Sequence, residues 1–305
     1  MEIILLNGYY RFSDLPINYF PDSNHYKLIN MPIFKISIYT SISLKPITKG
    51  YNMTKIISIS NQKGGVGKTT TAVNLSAGLV LAGKKVLLID TDPQANATIN
   101  LLPPEYQPEF TIKDVFYGTK LTDAICTSVM DGLDLVPSLL SFAAIESEFL
   151  SRIGRELILK RALDDQVKQE YDFIIFDTPP ALGMISINTL VAADEVIVPV
   201  HEFYALEGVE LLMNVVSQIK EELNPKLRVS AILLTMHDER TNLAKDVREK
   251  LNEIFGDMVL NTTIPRNVKL AEAPSHKQTI FDYADMSTGA KAYTDLTSEL
   301  LDRWR

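Results

Sequence analysis

Cysteine and histidine are scarce in this 305-residue chain, which has one cysteine and four histidines. The single cysteine, Cys126, excludes a disulfide within the chain and a metal site built from several of its cysteines. A lone cysteine of this kind is typical of a small, buried apolar side chain. No metal site is indicated by the scattered histidines either, which are His25, His201, His237 and His276.

Long apolar runs, internal repeats and a secretory signal are also lacking. The chain instead has 46% hydrophobic residues, enough to bury a full core, and short apolar strands that alternate with helical patterns from residue 56 onward. This alternation predicts one α/β domain with a mostly parallel, twisted sheet and helices on both faces. Further strands are predicted over residues 195–200, 229–235 and 259–264, and helices near residues 142–166, 206–223, 242–255 and 288–304.

Residues 1–53 differ in character from the rest, because they hold six of the twelve tyrosines and show no clear helical period. We expect an N-terminal extension over residues 1–53, poorly ordered or a mis-assigned start, followed by a single domain over residues 54–305. The sequence from Met53, MTKIISISNQKGG, has the form of a natural N-terminus. The preceding residues are therefore interpreted as a translated upstream stretch, with a genuine extension as the rival interpretation.

The most informative run is NQKGGVGKTTT, at residues 61–71. The apolar run IISIS before it is typical of a buried strand, and the apolar spacing after it predicts a helix that begins near Lys68. Glycines let backbone N–H groups approach a bound phosphate, and a helix start favours negative charge. The run therefore predicts a nucleoside triphosphate site, with Lys68 against the β- and γ-phosphates and the Thr69 hydroxyl on Mg²⁺. Its glycines are Gly64, Gly65 and Gly67.

Carboxylates follow two other apolar strands. Residues 86–89 run into Asp90 and Asp92, and residues 173–176 run into Asp177. Continuous apolar strands are typical of a sheet that is covered on both faces. Because ligands of open α/β sheets bind at the carboxyl ends of the parallel strands, we expect these carboxylates to lie beside the glycine loop.

The loop departs from the usual G-x-x-x-x-G-K-[ST] pattern, because Gln62 stands where that pattern has its first glycine and Lys63 is added. KGGVGKT resembles the deviant Walker A motif of the ParA/MinD family of ATPases. The resemblance implies a three-layer P-loop NTPase fold with ATP and Mg²⁺ as cofactors. It also implies that Lys63 crosses a dimer interface to the partner's nucleotide, where an added cation would neutralise charge on the γ-phosphoryl group, as an arginine finger does.

The same resemblance implies roles for the strand-end carboxylates. Asp177 resembles the Walker B aspartate that reaches Mg²⁺, and Asp92 in the DTDPQ segment resembles the switch I aspartate that orients the attacking water. Asp90 is a candidate for a supporting role only, and Pro265 and Arg266 resemble the strand-end residues that border the adenine. The implied catalytic residues are Lys63, Lys68 and Asp92, and the implied metal ligands are Thr69 and Asp177. The implied nucleotide-binding residues are Lys63, Gly64, Gly65, Val66, Gly67, Lys68, Thr69, Thr70, Pro265 and Arg266.

Beyond the loop, the segments LLIDTDPQANAT, FIIFDTPPALG, HDERTNLAKDV and IPRNVKLAEAPSH resemble chromosome-partitioning ATPases of the Soj type. The resemblance implies an ATP-dependent switch for chromosome or plasmid partitioning, located in the cytoplasm and associated with the nucleoid. An ATP-sandwich homodimer would bind DNA non-specifically, and slow hydrolysis stimulated by a ParB-type partner would release it. The implied DNA-binding residues are Arg240, Arg266 and Lys269.

Positive charge is in deficit, since the net charge is −8 and residues 54–305 carry 25 basic against 35 acidic residues. DNA binding by such a chain requires basic residues gathered on one face, and the affinity would depend steeply on salt. The alternative interpretation of Arg240 and Lys269 is an ordinary solvated helix start and loop.

Three rival interpretations share the nucleotide loop. A MinD-like positioning ATPase would end in a basic amphipathic membrane anchor, whereas the last helix here carries Asp295, Glu299 and Asp302, so we expect no stable membrane anchor. An iron–sulfur carrier would need more cysteines than this chain has. A small-molecule synthetase or kinase would use ATP as a substrate rather than as a switch.

Overall fold

The structure is a computed structural model that describes residues 2–5, 8–11, 54–201 and 205–305. The chain divides into two compact units, Met1–Gly50 and Tyr51–Arg305. In the first unit the described residues form an antiparallel hairpin of β1 (Glu2–Leu5) and β2 (Gly8–Arg11). The expectation for residues 1–53 falls largely outside the described residues and stays a prediction.

The second unit contains an eight-stranded sheet. Its strands are β3 (Lys55–Ile59), β4 (Val86–Asp90), β5 (Cys126–Met130), β6 (Leu133–Val136), β7 (Phe173–Asp177), β8 (Glu195–Val200), β9 (Arg228–His237) and β10 (Ile264–Pro265). In space they follow the order β10-β9-β8-β3-β7-β4-β6-β5. All neighbours pair in parallel except β5, which is antiparallel to β6.

Helices cover both faces of this sheet. Alternate strand residues enter two separate apolar clusters: Ile56 and Leu87 belong to one, Ile57 and Leu88 to the other. Among the described residues no helix is long and apolar enough to cross a bilayer. The predicted three-layer α/β fold is thus confirmed. The helices are α1 (Lys68–Leu81), α2 (Asn96–Leu101), α3 (Ile112–Tyr117), α4 (Ile145–Glu148), α5 (Ile158–Ala162), α6 (Asp165–Glu170), α7 (Met184–Ala192), α8 (Ala205–Glu222), α9 (Asn242–Phe255), α10 (Val268–Glu272), α11 (Ile280–Tyr283) and α12 (Thr288–Arg303).

The prediction of one helix near residues 142–166 is wrong. The segment is broken into α4, α5 and short 3-10 turns, and α6 begins only at Asp165. Gly154 interrupts it with a φ of 69°, a left-handed conformation that ends a right-handed helix. Glu146 of α4 also accepts hydrogen bonds from the backbone N–H groups of Met184 and Ile185, so this segment caps α7 instead of continuing as a helix.

The prediction of a strand over residues 259–264 is wrong as well. Only Val259 bridges to Ile232, and β10 is confined to two residues. The backbone N–H groups of Asn261 and Thr262 donate to the Glu299 carboxylate of α12, at 2.9 and 2.8 Å. Because these N–H groups bond to a side chain, they are not available to a neighbouring strand.

Candidate functional site

The glycine loop joins β3 to α1 at the carboxyl edge of the sheet, which confirms the predicted strand–loop–helix context. Gly65 and Gly67 have φ angles of 72° and 84°, which residues with a Cβ rarely adopt. Thr235 supports the loop, since its hydroxyl oxygen lies 2.8 Å from the Val66 carbonyl and 3.0 Å from the Val200 carbonyl. Apart from Gly65 itself and its two chain neighbours, no atom of the described residues lies within 4 Å of the place where a Cβ on Gly65 would stand, so the space over the loop is open to a ligand.

Lys68, the first residue of α1, extends its ammonium group back along the loop. The residue is buried, and its Nζ donates to the Lys63 carbonyl at 3.0 Å. Burial lowers the pKa of Lys68, while the nearby carboxylates of Asp177 and Asp92 act in the opposite direction. A buried cation between the loop and two carboxylates is well placed to balance the charge of a phosphate.

Asp177, the last residue of β7, is fully buried, and neither of its carboxylate oxygens has a hydrogen-bond partner of standard geometry among the described residues. Burial raises the pKa of Asp177 well above its usual range, and Asp90 adds to this effect. The Thr69 hydroxyl and the Lys68 ammonium oppose it. A buried carboxylate with bare oxygens beside a hydroxyl is a donor set that fits a hard cation such as Mg²⁺.

Asp90 and Asp92 have different surroundings. The buried Asp90 carboxylate accepts the Asp92 N–H at 3.1 Å, the Thr98 N–H at 2.8 Å and the Thr98 hydroxyl at 2.7 Å. Burial raises the pKa of Asp90 to about 7. Asp92 accepts the Gln94 N–H at 2.9 Å and lines the cleft above the loop. Asp90 therefore fixes the segment that carries Asp92, and Asp92 is the carboxylate that can reach a ligand.

A cleft of about 790 Å³ opens over the loop and extends to the end of β10. Its volume lies within the range of small-molecule sites, about 300–1,000 Å³. The far end is lined by Pro265, Arg266 and Met236, the last with a φ of 51°. The structure thus brings the loop, Asp92 and the Pro265–Arg266 pair into one cleft. The loop residues in its lining are Gly64, Gly65, Gly67, Lys68, Thr69 and Thr70.

Lys63 lies on the side of the loop that faces α8. Its Nζ is 3.5 Å from Oε2 of Glu207, in the first turn of α8. Its backbone N–H donates to Asn61 Oδ1 at 3.0 Å, and the Asn61 amide donates to the Pro199 carbonyl at 2.7 Å. Within a single chain, the Lys63 ammonium is therefore paired beside α8, outside the lining of the cleft.

The three basic residues assigned to DNA lie near the carboxyl ends of β9 and β10. Arg240 follows β9 with a side chain that is 88% exposed, and its guanidinium pairs with Asp238 at 2.7 Å. Lys269 of α10 pairs with Glu272 at 2.9 Å. Arg266 follows β10, is exposed and lines the cleft. Because β9 and β10 are parallel neighbours, all three residues lie near the carboxyl ends of these two strands.

Thr235, Asn61 and Met236 belong to the site without having been predicted from the sequence. Thr235 could have been found by the rule that found Asp90 and Asp177, because it is a polar residue at the carboxyl end of an apolar strand. Asn61 adjoins the glycine run. Nothing in the sequence marks the left-handed backbone of Met236.

A family model described as an AAA domain matches residues 54–229, more than half of the chain. The chain is 48% identical over 250 residues to the sporulation initiation inhibitor protein Soj of Bacillus subtilis, which covers 81% of this chain and 98% of that protein. It is 42% identical over 253 residues to the chromosome-partitioning ATPase Soj of Treponema pallidum, with 82% and 98% covered.

Among solved structures, the fold is similar to cobyrinic acid a,c-diamide synthase from Mycobacterium smegmatis with bound ATP analogue and magnesium. The TM-score is 0.71 at 33% identity, over 82% of this chain and 96% of that chain. The sequence identities to the two Soj proteins, 48% and 42%, are higher than the identity to the synthase and extend over nearly the whole length of each Soj protein. They therefore decide the family. The glycine loop and Asp92 line one cleft, and the buried Asp177 lies beside Thr69 and Lys68. On the sequence similarity to the two Soj proteins, the chain belongs to the Soj/ParA family of partitioning ATPases.

Proposed function

We propose that the chain is an ATP-dependent molecular switch for chromosome or plasmid partitioning. The observation that carries the proposal is the buried carboxylate of Asp177, whose oxygens have no hydrogen-bond partner of standard geometry among the described residues. It lies beside Thr69 and Lys68, under a glycine loop with open space above it. Such a carboxylate is stabilised by a cation, and the loop above it suits the phosphates that would accompany that cation. The Soj relatives supply the biological setting.

Residues 64–70 would hold the triphosphate of ATP, with Lys68 against its charge and Pro265 and Arg266 at the nucleoside end of the cleft. Thr69 and Asp177 would hold Mg²⁺, which would supply positive charge to the phosphate oxygens and take its remaining ligands from water. The synthase from M. smegmatis, solved with an ATP analogue and magnesium, supports this assignment.

Asp92 would orient the attacking water by accepting a hydrogen bond, since it lines the cleft and is held in place through Asp90. Lys63 would contact the nucleotide of the partner subunit in a homodimer formed on ATP binding. To do so it must leave Glu207, whose side chain is 71% exposed. A surface ion pair contributes only about 0–1 kcal/mol, so the loss of the Glu207 pair itself costs little.

DNA binding would use Arg240, Arg266 and Lys269, which share one edge of the sheet. A dimer would present two copies of this edge, and the phosphates would compete with Asp238 and Glu272 for the two paired cations. Binding through backbone phosphates is non-specific and weakens as salt rises. A ParB-type centromere-binding partner would stimulate the slow hydrolysis of ATP and release the dimer from DNA. The chain would act in the cytoplasm, associated with the nucleoid.

The last helix favours this proposal over a MinD-like membrane ATPase. The apolar residues of α12, among them Tyr293, Leu296 and Leu300, are buried in the core cluster that also contains α1. Trp304, directly after the helix, donates to Glu195 at 2.7 Å. A membrane anchor needs an apolar face that is free to enter the lipid, whereas this one would first have to leave the protein core.

The likeness to the M. smegmatis synthase gives a second candidate, in which ATP is a substrate. One assay separates the candidates: binding to random-sequence duplex DNA with ATP, with ADP and without nucleotide. We expect a shift with ATP only, its loss in Lys68→Ala, which removes the cation beside the phosphates, and retention in Lys226→Ala, a change at an exposed lysine away from the cleft. Arg240→Ala should lose the shift and still dimerise, again with Lys226→Ala as its control.

Equal DNA binding in all three nucleotide states would contradict the switch. ATP-dependent pelleting with liposomes would favour the membrane class instead. ATP consumption that requires an added small-molecule acceptor would favour the synthetase class. Retained DNA binding in Arg240→Ala would remove that residue from the DNA site.

A further inference from the structure

A second cleft plays no part in the proposed nucleotide cycle. It lies between residues 115–122, Arg152 and residues 158–167, has a volume of about 290 Å³, and is called the basic cleft below. Its apolar lining belongs to the core, since Val115, Phe116 and Val167 are buried. The volume is at the lower limit of small-molecule sites, so it suits one inserted side chain better than a whole cofactor.

Three cations surround this apolar floor: Lys120, Arg152 and Arg161. The single carboxylate in the lining is Asp164, which caps α6 by accepting the Val167 N–H at 2.9 Å. The lining thus carries a local charge of +2 in a protein of net charge −8. Across the described ranges 54–201 and 205–305, no ion pair involves any of the three cations.

Both arginines are exposed, and Arg152 is held in position by its neighbours. Arg152 donates to the Phe116 carbonyl at 2.8 Å, and its guanidinium lies 4.6 Å from the centroid of the Phe149 ring. The Arg161 guanidinium lies against Gly154, where an added Cβ would be 3.3 Å from it. A cation fixed as Arg152 is loses little entropy when it binds an anion, and the guanidinium fork of either arginine matches a carboxylate.

The basic cleft is distant in the fold from the residues assigned to DNA. Helix α3 supplies Val115 and Phe116 to the basic cleft. The helix begins beside β6, because the backbone N–H of Ile112 donates to the Pro137 carbonyl directly after that strand. Strand β6 is next to β5, the outermost strand on one side of the sheet. Arg266 follows β10, the outermost strand on the other side of the sheet. A narrow cleft with an apolar floor also does not match a phosphate backbone, which offers charge but no apolar group to insert.

We propose that the basic cleft docks an acidic peptide segment of a partner protein. One apolar side chain of that segment enters the cleft, and flanking carboxylates pair with Arg152 and Arg161. Exposed apolar residues beside Arg152 in the sequence, Leu150 at 67% and Ile153 at 98% exposure, extend the apolar surface available to the segment. This combination of an apolar anchor with charged flanks is typical of peptide recognition.

The test uses a fluorescein-labelled peptide, Glu-Asp-Glu-Asp-Leu-Glu-Asp-Glu-Asp, and the full chain at physiological salt. One matched peptide replaces the central Leu by Ala, and another replaces every Glu and Asp by Gln and Asn. Anisotropy measures affinity, and ¹H–¹⁵N spectra locate the peptide on the chain. We expect each matched peptide to bind about tenfold more weakly or worse, because each loses either the anchor or the charge-assisted bonds.

The matching protein variants are Arg152→Glu/Arg161→Glu and, in case the loss of the Arg152 contacts unfolds the chain, Lys120→Glu/Arg161→Glu. The control is Lys226→Glu/Lys291→Glu, which changes the net charge equally at exposed lysines outside the basic cleft. Basal ATPase activity should be unchanged in all three. We expect at least about a tenfold loss of peptide affinity in the two cleft variants and less than about a twofold change in the control.

Amide shifts confined to residues 115–122 and 150–167, together with these losses, support the proposal. It is overturned if no peptide binds up to about 1 mM, the weakest affinity of interest here. It is also overturned if the control loses as much affinity as the cleft variants, or if the peptide with the central Ala binds as well as the one with Leu. Displacement of the peptide by random-sequence duplex DNA would assign the surface to nucleic acid instead.

Discussion

At the scale of single residues, two buried aspartates occupy equivalent positions on neighbouring strands but have different hydrogen-bond partners. Asp90 and Asp177 are register partners at the ends of β4 and β7. Asp90 accepts three hydrogen bonds from the segment after it, whereas the oxygens of Asp177 have none of standard geometry among the described residues. From the sequence the two are equivalent strand-end carboxylates. The strand pattern does not separate them, and the different roles expected for them come from the family resemblance. Their surroundings differ in the same sense, because Asp90 is occupied by the segment after it and the oxygens of Asp177 are not.

Thr235 gives a prediction at the same scale. Thr235→Val keeps the shape of the side chain but leaves the carbonyls of Val66 and Val200 without their hydroxyl donor. Losing a buried hydrogen bond costs about 1–3 kcal/mol, so we expect the free energy of unfolding to fall by that amount. Because Val66 is part of the glycine loop, ATP affinity should also fall by about tenfold, measured by calorimetry.

Thr235→Ser is the matched variant, because it restores the hydroxyl and removes only a methyl group. It should recover most of the ATP affinity. If Thr235→Val binds ATP as tightly as the wild type while Thr235→Ser is the weaker binder, the methyl group and not the hydrogen bond positions the loop.

At the scale of secondary structure, sequence patterns predicted the longest described helices, which are α1, α8, α9 and α12. α9 agrees with its prediction over residues 242–255, and Thr241 caps it by accepting the Ala244 N–H. The segment 142–166 has apolar residues at helical spacing but is divided at Gly154. Such a break depends on what the segment packs against, here the start of α7, and local periodicity does not contain that information.

Strand β8 begins with a buried charge that connects several elements. Glu195 is 2% exposed at its side chain and accepts hydrogen bonds from Lys55 at 2.8 Å, Arg228 at 2.6 Å and Trp304 at 2.7 Å. Burial alone would raise the pKa of Glu195, but the three hydrogen bonds outweigh it and lower the pKa from 4.5 to about 2. The group therefore ties β3, β9 and the end of α12 to β8.

A lowered folded-state pKa stabilises the fold above the unfolded pKa of 4.5, and this contribution is lost as the pH falls towards 2. For Glu195 the shift corresponds to roughly 3 kcal/mol at neutral pH. We expect Glu195→Gln to lower the free energy of unfolding by about that amount at pH 7. The difference from wild type should shrink by about 1 kcal/mol at pH 3.5, measured by urea unfolding at both pH values.

The control is Glu222→Gln, which removes the same charge from an exposed position in α8. It should change stability by less than about 0.5 kcal/mol at either pH. A Glu195→Gln difference that stays constant between the two pH values would show that lost packing, and not lost ionisation, causes the destabilisation.

At the scale of the whole molecule, the parallel sheet explains why so much of the site could be predicted. Every parallel strand ends at the same edge, so Lys68, Asp92 and Pro265 line one cleft although they are far apart in the sequence. Asp177 lies close enough to Lys68 and Asp92 for their charges to act on it. The position of Lys63 could not be predicted from the residues, because its contact with α8 depends on how that helix packs against the loop. The basic cleft was missed for the same reason, since its cations come from separate short elements with no shared motif.

The proposed switch depends on a dimer that forms when ATP binds. Asp92→Ala should bind ATP but not orient water, so with ATP and Mg²⁺ it should elute as a stable dimer, measured by size-exclusion chromatography with light scattering. The wild type should return to monomer as ATP is hydrolysed. Adding Lys63→Ala to Asp92→Ala should abolish the dimer, because each nucleotide then lacks the partner's cation. Adding Lys226→Ala instead should leave it intact. A double variant without Lys63 that still dimerises would show that apolar contacts, and not the exchanged lysines, close the assembly.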